Sequence, residues 1–63
     1  MRISERKVAL AMAEKSFNQM QLAEKAGISR QTLSAVLNGR NCRPVLLGKI
    51  AIALDKKPEE IIE

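Results

Sequence analysis

Gly27 stands between two short segments whose apolar residues recur at helical spacing, and this limits the fold more than any other feature of the chain. Before it, Leu22, Ala23 and Ala26 make one apolar stripe over residues 19–26. After it, Leu33, Val36 and Leu37 fall at i, i+3 and i+4 of a segment running from Arg30 to about Asn38. Glycine takes left-handed backbone angles without a Cβ clash, so Gly27 ends the first helix and turns the chain into the second. Ala23, four residues earlier, is small enough to let the two helices approach. Ser29 is suited to cap the second helix, and Asn38-Gly39 stops it. With Ile28 as a buried anchor, the link Ala26-Gly27-Ile28-Ser29 has the length of a helix-turn-helix connection, with the motif over 19–38.

The rest of the chain also reads as helix. No alternating β-branched stretch or hairpin dipeptide gives a strand signal. A first helix is expected from Ser4 to Lys15, with Ser4 as N-cap and Val8, Ala9 and Met12 facing the core. Ser16-Phe17-Asn18 connects it onward, Phe17 serving as a core plug. Asn18 and Gln21 have the spacing of a capping box for the second helix. Gly39–Arg43 reads as a short polar, basic loop carrying a plain thiol at Cys42. Pro44 then directs the chain into a fourth helix over Val45–Leu54, with Leu47, Ile50, Ala51 and Leu54 inward. Pro58 suits the first turn of a last short helix, with Glu59 and Glu60 in it and Ile61 and Ile62 as apolar closure. The expectation is a single all-α domain over residues 1–63, a compact five-helix fold.

That domain has no staple. One cysteine rules out an internal disulfide, and the absence of histidine removes any plausible zinc site. With no histidine and scattered carboxylates, no nucleophile–base–orienter set suggests itself, so the expectation is no enzyme and no cofactor. No apolar run is long enough to span a bilayer, and residues 1–7 do not resemble a signal peptide. With the lone thiol, this points to a cytoplasmic protein.

Charge narrows the partner. From Lys25 to Leu54 the chain carries five bases, Lys25, Arg30, Arg40, Arg43 and Lys49, and no acid. A cationic block of this kind suits a polyanion, although an ordinary solvated surface would look the same on composition alone. On the second helix of the pair, Arg30, Gln31, Ser34, Ala35 and Asn38 fall on the outward side. A projecting helix about 10–12 Å across fits a major groove about 12 Å wide.

The run from Gln19 to Gly39, continued by Arg43-Pro44 and the apolar pattern of the fourth helix, resembles the Xre family, which includes phage lambda-type repressors and Cro proteins. The resemblance implies a lambda-repressor-like DNA-binding domain: a sequence-specific transcriptional regulator, a repressor dimeric at least on DNA, reading a palindromic operator near the nucleoid with no small-molecule ligand. It implies base reading by Ser29, Arg30, Gln31, Ser34 and Ala35, and phosphate contacts from Gln19, Thr32, Asn38, Arg40 and Arg43. Arg30 has the fork to pair with guanine, Gln31 can pair with adenine, and Ala35 can touch only a thymine methyl. Arg30 also fits a phosphate contact alone, and Gln31 a solvated position.

The sequence departs from the family in three places. Met12 and Leu37 stand where many relatives bury an arginine–glutamate pair, an exchange that apolar packing tolerates. Cys42 and Val45 replace common basic residues. Lys56 stands where an apolar residue often packs, which puts docking of the C-terminus in question. The alternative reading is an antitoxin or protein adaptor on the same fold, using Glu59, Glu60, Ile61 and Ile62 as an exposed patch.

Overall fold

Three of the helices start where a short polar side chain satisfies a backbone N–H that the helix itself leaves free. In the computed structural model, which describes residues 1–63, Lys7 N donates to Ser4 Oγ (3.2 Å) and Thr32 N to Ser29 Oγ (3.1 Å). Asn18 and Gln21 form the reciprocal capping box: Gln21 N donates to Asn18 Oδ1 (2.8 Å), and Asn18 N to Gln21 Oε1 (2.9 Å). These caps open α1 (Glu5–Lys15), α2 (Gln19–Ala26) and α3 (Arg30–Leu37). The fourth helix, α4 (Pro44–Ala53), has no side-chain cap at Arg43. It begins on Pro44 itself, whose ring presets φ and whose missing N–H would have been unpaired there anyway.

All four helices stop in the same way. One residue takes a left-handed φ, namely Ser16 (57°), Gly27 (71°), Gly39 (102°) and Asp55 (60°). The next amide then reaches back five residues: Phe17 N to Met12 O, Ile28 N to Ala23 O, Arg40 N to Ala35 O and Lys56 N to Ala51 O, at 2.9–3.2 Å. This arrangement satisfies carbonyls that a helix end otherwise leaves free. At two of the four stops the chain uses no glycine, so only two were visible from residue type.

The core contains fifteen buried residues, all apolar or thiol, and no buried polar side chain lacks a partner. Leu22, Ala23 and Ala26 from α2 meet Leu33, Val36 and Leu37 from α3, and Leu47, Ile50, Ala51 and Leu54 from α4. The inward faces expected for these three helices are the ones buried. Phe17 and Ile28 are half-buried against the same core. α1 differs from expectation: it buries Val8 and Ala11, holds Met12 half-buried and leaves Ala9 exposed. Residues 8–13 are an unbroken apolar run, so spacing alone does not choose a face.

The fifth helix is not a helix of that kind. Pro58–Glu60 makes one 3-10 turn, so the molecule has four α-helices. The last three residues explain why. Ile61 and Glu63 use their backbones to hold the other end of the chain: Ser4 N donates to Ile61 O (2.8 Å) and Glu63 N to Arg2 O (3.1 Å). Ile3 and Ile62 form an isolated antiparallel bridge, too short to be a strand. A helix through residue 63 would remove these bonds.

Three further expectations change. Cys42 is not a plain loop thiol. It is 2 % exposed, its amide donates to Met1 O (2.6 Å), and burial pushes its pKa up. The loop needs one small apolar side chain to sit down on the core, and Cys42 supplies it. Lys56 does not undock the C-terminus. Its ammonium pairs with Glu14 (3.1 Å) while Ile61 is 0 % exposed. That burial, with Ile62 paired to Ile3, also removes the apolar half of the patch on which the adaptor reading relied.

Candidate nucleic-acid interface

The turn at Gly27 determines which side of α3 faces out. Ile28 settles against the core, Ser29 caps the helix, and Leu33, Val36 and Leu37 anchor it inward. Arg30, Gln31 and Asn38 are left exposed, with Ser34 and Ala35 half-buried between them. Space around Gly27 is open, since a Cβ there would meet nothing within 4 Å. The residue is thus required for its backbone angles, not for close packing at its own Cα.

Two shallow hollows lie side by side on this surface. Gln19, Arg30, Gln31 and Ser34 line the first, which has no apolar side chain in its wall. Gln31, Ser34, Ala35, Asn38 and Arg40 line the second. Gln31 and Ser34 belong to both, so the two form one continuous polar face that brings the first residue of α2 beside α3. Seven of the ten residues singled out from the sequence meet here, and no other residue lines either hollow.

The remaining three stand apart from the hollows. Ser29 uses its hydroxyl locally, accepting from Thr32 N and donating to Thr32 Oγ1 (2.8 Å). It is a cap before it is anything else. Thr32 is exposed and keeps its own hydroxyl proton free to donate. Arg43 is exposed at the start of α4, one residue past the buried Cys42. Sequence reasoning missed the part Cys42 plays here: by seating in the core it fixes the loop that carries Arg40 and Arg43.

The electrostatics favour an anion. Both ion pairs of the molecule, Lys15–Asp55 (3.4 Å) and Lys56–Glu14 (3.1 Å), join α1 to the turn after α4. Arg30, Arg40 and Arg43 pair with no carboxylate, and the stretch from Lys25 to Leu54 has no acid to pair them with. Unpaired guanidinium groups keep all their donors free for an external acceptor.

A glycine-turned helix pair that presents an acid-free polar face from its second helix defines a helix-turn-helix DNA-binding domain. More narrowly, the chain belongs to the Cro/C1-type HTH DNA-binding domain family, whose family model matches residues 7–63. That class is a regulatory, DNA-binding fold, and its partner is double-stranded DNA. No curated protein and no solved structure matches the chain. No helix is long and apolar enough to cross a membrane.

Proposed function

We propose that the protein is a transcriptional repressor whose α3 lies in the major groove and reads a half-site of a palindromic operator. The observation that carries this is the continuous face from Gln19 across Arg30, Gln31, Ser34 and Ala35 to Asn38 and Arg40. Its chemistry suits the two tasks of such a surface, reading base edges and holding phosphates. Arg30 donates two parallel bonds to guanine, and Gln31 exchanges bonds with adenine. Ser34 and Ser29 reach base edges, and Ala35 lies against a thymine methyl. Gln19 and the free amides at the start of α2 hold one phosphate. Thr32, Asn38, Arg40 and Arg43 hold others along the flanking backbone. Two copies bind half-sites about 10 base pairs apart, related by a two-fold axis. Occupying a promoter in this way excludes polymerase, and the DNA partner places the protein with the cytoplasmic chromosome.

Selection of bound sequences from a pool of random duplexes tests this. The expected result is an enriched two-fold symmetric site, with affinity that falls steeply as salt rises. Recovery of unenriched duplexes, or binding indifferent to salt, overturns it.

A further inference from the structure

An open cleft of about 400 Å³ runs along α1 from Glu5 to Ala13. Val8 and Leu37, both buried, form its floor, and half-buried Met12 and Phe17 line its sides. Ala9 and Ala13, one helical turn apart, are exposed at its edge, and their small side chains leave the space open. Six of its eight lining residues are apolar, whereas the hollow at Arg30 has no apolar side chain in its wall. The other two are Glu5 and Gln19. A mostly apolar wall with a few polar groups is the make-up of a small-ligand pocket, which typically holds about 300–1,000 Å³.

Width and charge limit the occupant. From Glu5 to Ala13 the helix rises about 12 Å. Spread over that length, about 400 Å³ holds a slender chain and not a helix, which is about 10–12 Å across. Glu5 is exposed, enters neither ion pair of the molecule, and is the only charged residue in the wall. It attracts a cation to the end of the cleft where α1 begins. Gln19 lines both this cleft and the polar face beside α3, so the two surfaces share a side chain.

We infer that the cleft binds a slender organic cation, a primary alkylammonium in class, with its hydrocarbon chain over Val8 and Leu37 and its ammonium at Glu5. Burial of the chain supplies most of the affinity, and the exposed ion pair selects the charge. A chain that fills the cleft also crowds the Gln19 side chain and holds it off the phosphate it is proposed to bind. Ligand and DNA therefore oppose each other, each weakening the other's binding by the same factor. This coupling rests on the DNA-reading proposal, whereas the cleft itself does not. It gives the protein a small-molecule ligand where the family resemblance implied none.

Titration of the isotope-labelled full chain with n-hexylammonium, and with n-hexanol as its uncharged twin, provides the test by amide NMR. The signals of Ala9, Met12, Ala13 and Phe17 are expected to move and saturate with a Kd of about 1 mM for the amine. The alcohol is expected to bind about two- to fivefold more weakly, and Glu5→Gln to close that gap. Ala13→Leu, which fills the cleft from an exposed position and should keep the wild-type circular dichroism, is expected to bind the amine more weakly by about tenfold or more. Saturating amine is expected to weaken wild-type binding to a selected duplex by about threefold beyond its effect on Ala13→Leu, which registers the added salt alone. No saturable shift, equal affinity for amine and alcohol, or full binding by Ala13→Leu overturns the site. Saturable binding with no extra loss of duplex affinity supports the site and overturns its link to DNA. If no duplex binds the protein at all, the DNA reading and the link fall together, and the NMR titration judges the site alone.

Discussion

Replacing Gly27 and Gly48 each by alanine should move stability in opposite directions. A new Cβ meets nothing within 4 Å at either position, so packing drops out of the comparison and backbone conformation remains. At Gly48 the backbone is helical, and alanine is favoured over glycine in a helix interior by about 0.5–1 kcal/mol. At Gly27 φ is +71°, where an L-residue costs about 1–2 kcal/mol. The stiffer unfolded chain returns about 0.4–1 kcal/mol of that, leaving a net loss of about 0–1.6 kcal/mol, near 0.8 kcal/mol at the middle of both ranges. A domain of this size has only about 3–9 kcal/mol in total, so either change is a visible fraction. At about 4–8 °C per kcal/mol, Gly48→Ala should melt several degrees above the wild type and Gly27→Ala several degrees below. Far-UV circular dichroism is the suitable probe, since the chain has no tryptophan or tyrosine. Melts at low protein concentration keep self-association out of the result. If Gly27→Ala melts at or above the wild-type temperature, the left-handed stop is not what ends α2 and sets the direction of α3.

Arg30→Ala should lose about 1–3 kcal/mol of discrimination at one base pair while weak general binding to random duplexes survives, measured by competition binding. Ser29→Ala removes the hydrogen bond to Thr32 N and should cost about 1 kcal/mol in denaturant unfolding, with α3 the first element to fray. Ile61→Ala empties a site that is fully buried and should cost about 2–5 kcal/mol, enough to leave part of the population unfolded at 37 °C by circular dichroism. The Cys42 thiol is held above its ordinary value of 9.0 by burial, so the folded state keeps its proton longer than the unfolded chain does. Its contribution is complete below pH 9.0 and is lost as pH climbs through the raised folded value, so a denaturation series into alkali should slope downward. The Cys42→Val variant should flatten that part of the slope.

Most of the candidate site was legible because α3 divides cleanly. Leu33, Val36 and Leu37 alternate with polar residues at one helical period, and a side chain that is not inward on so short a helix has to be outward. The caps Ser4, Asn18 and Ser29 were legible for a local reason too, since each needs only an amide two or three positions on. What was hidden depends on partners distant in sequence or on conformations shared by many residue types. Ser16 and Asp55 take left-handed angles without glycine to mark them. Residues 8–13 offer several equivalent faces, and the choice of Val8 with Ala11 comes from the core they meet. Ile3, Cys42 and Ile61 look like an end, a loop and an end until the fold brings them together.

That meeting of first and last residues imposes an order on assembly. Bringing distant segments together costs chain entropy that grows with the length enclosed, whereas the turn between α2 and α3 encloses almost nothing. The helix pair can therefore form early, with closure of the ends as the slow, late event. In reverse, the amides of Ser4, Cys42 and Glu63, each bonded to a remote segment, should exchange with deuterium as one group ahead of those inside α3. The region that opens first would then include the loop between Arg40 and Arg43, while α3 and its outward face stay closed.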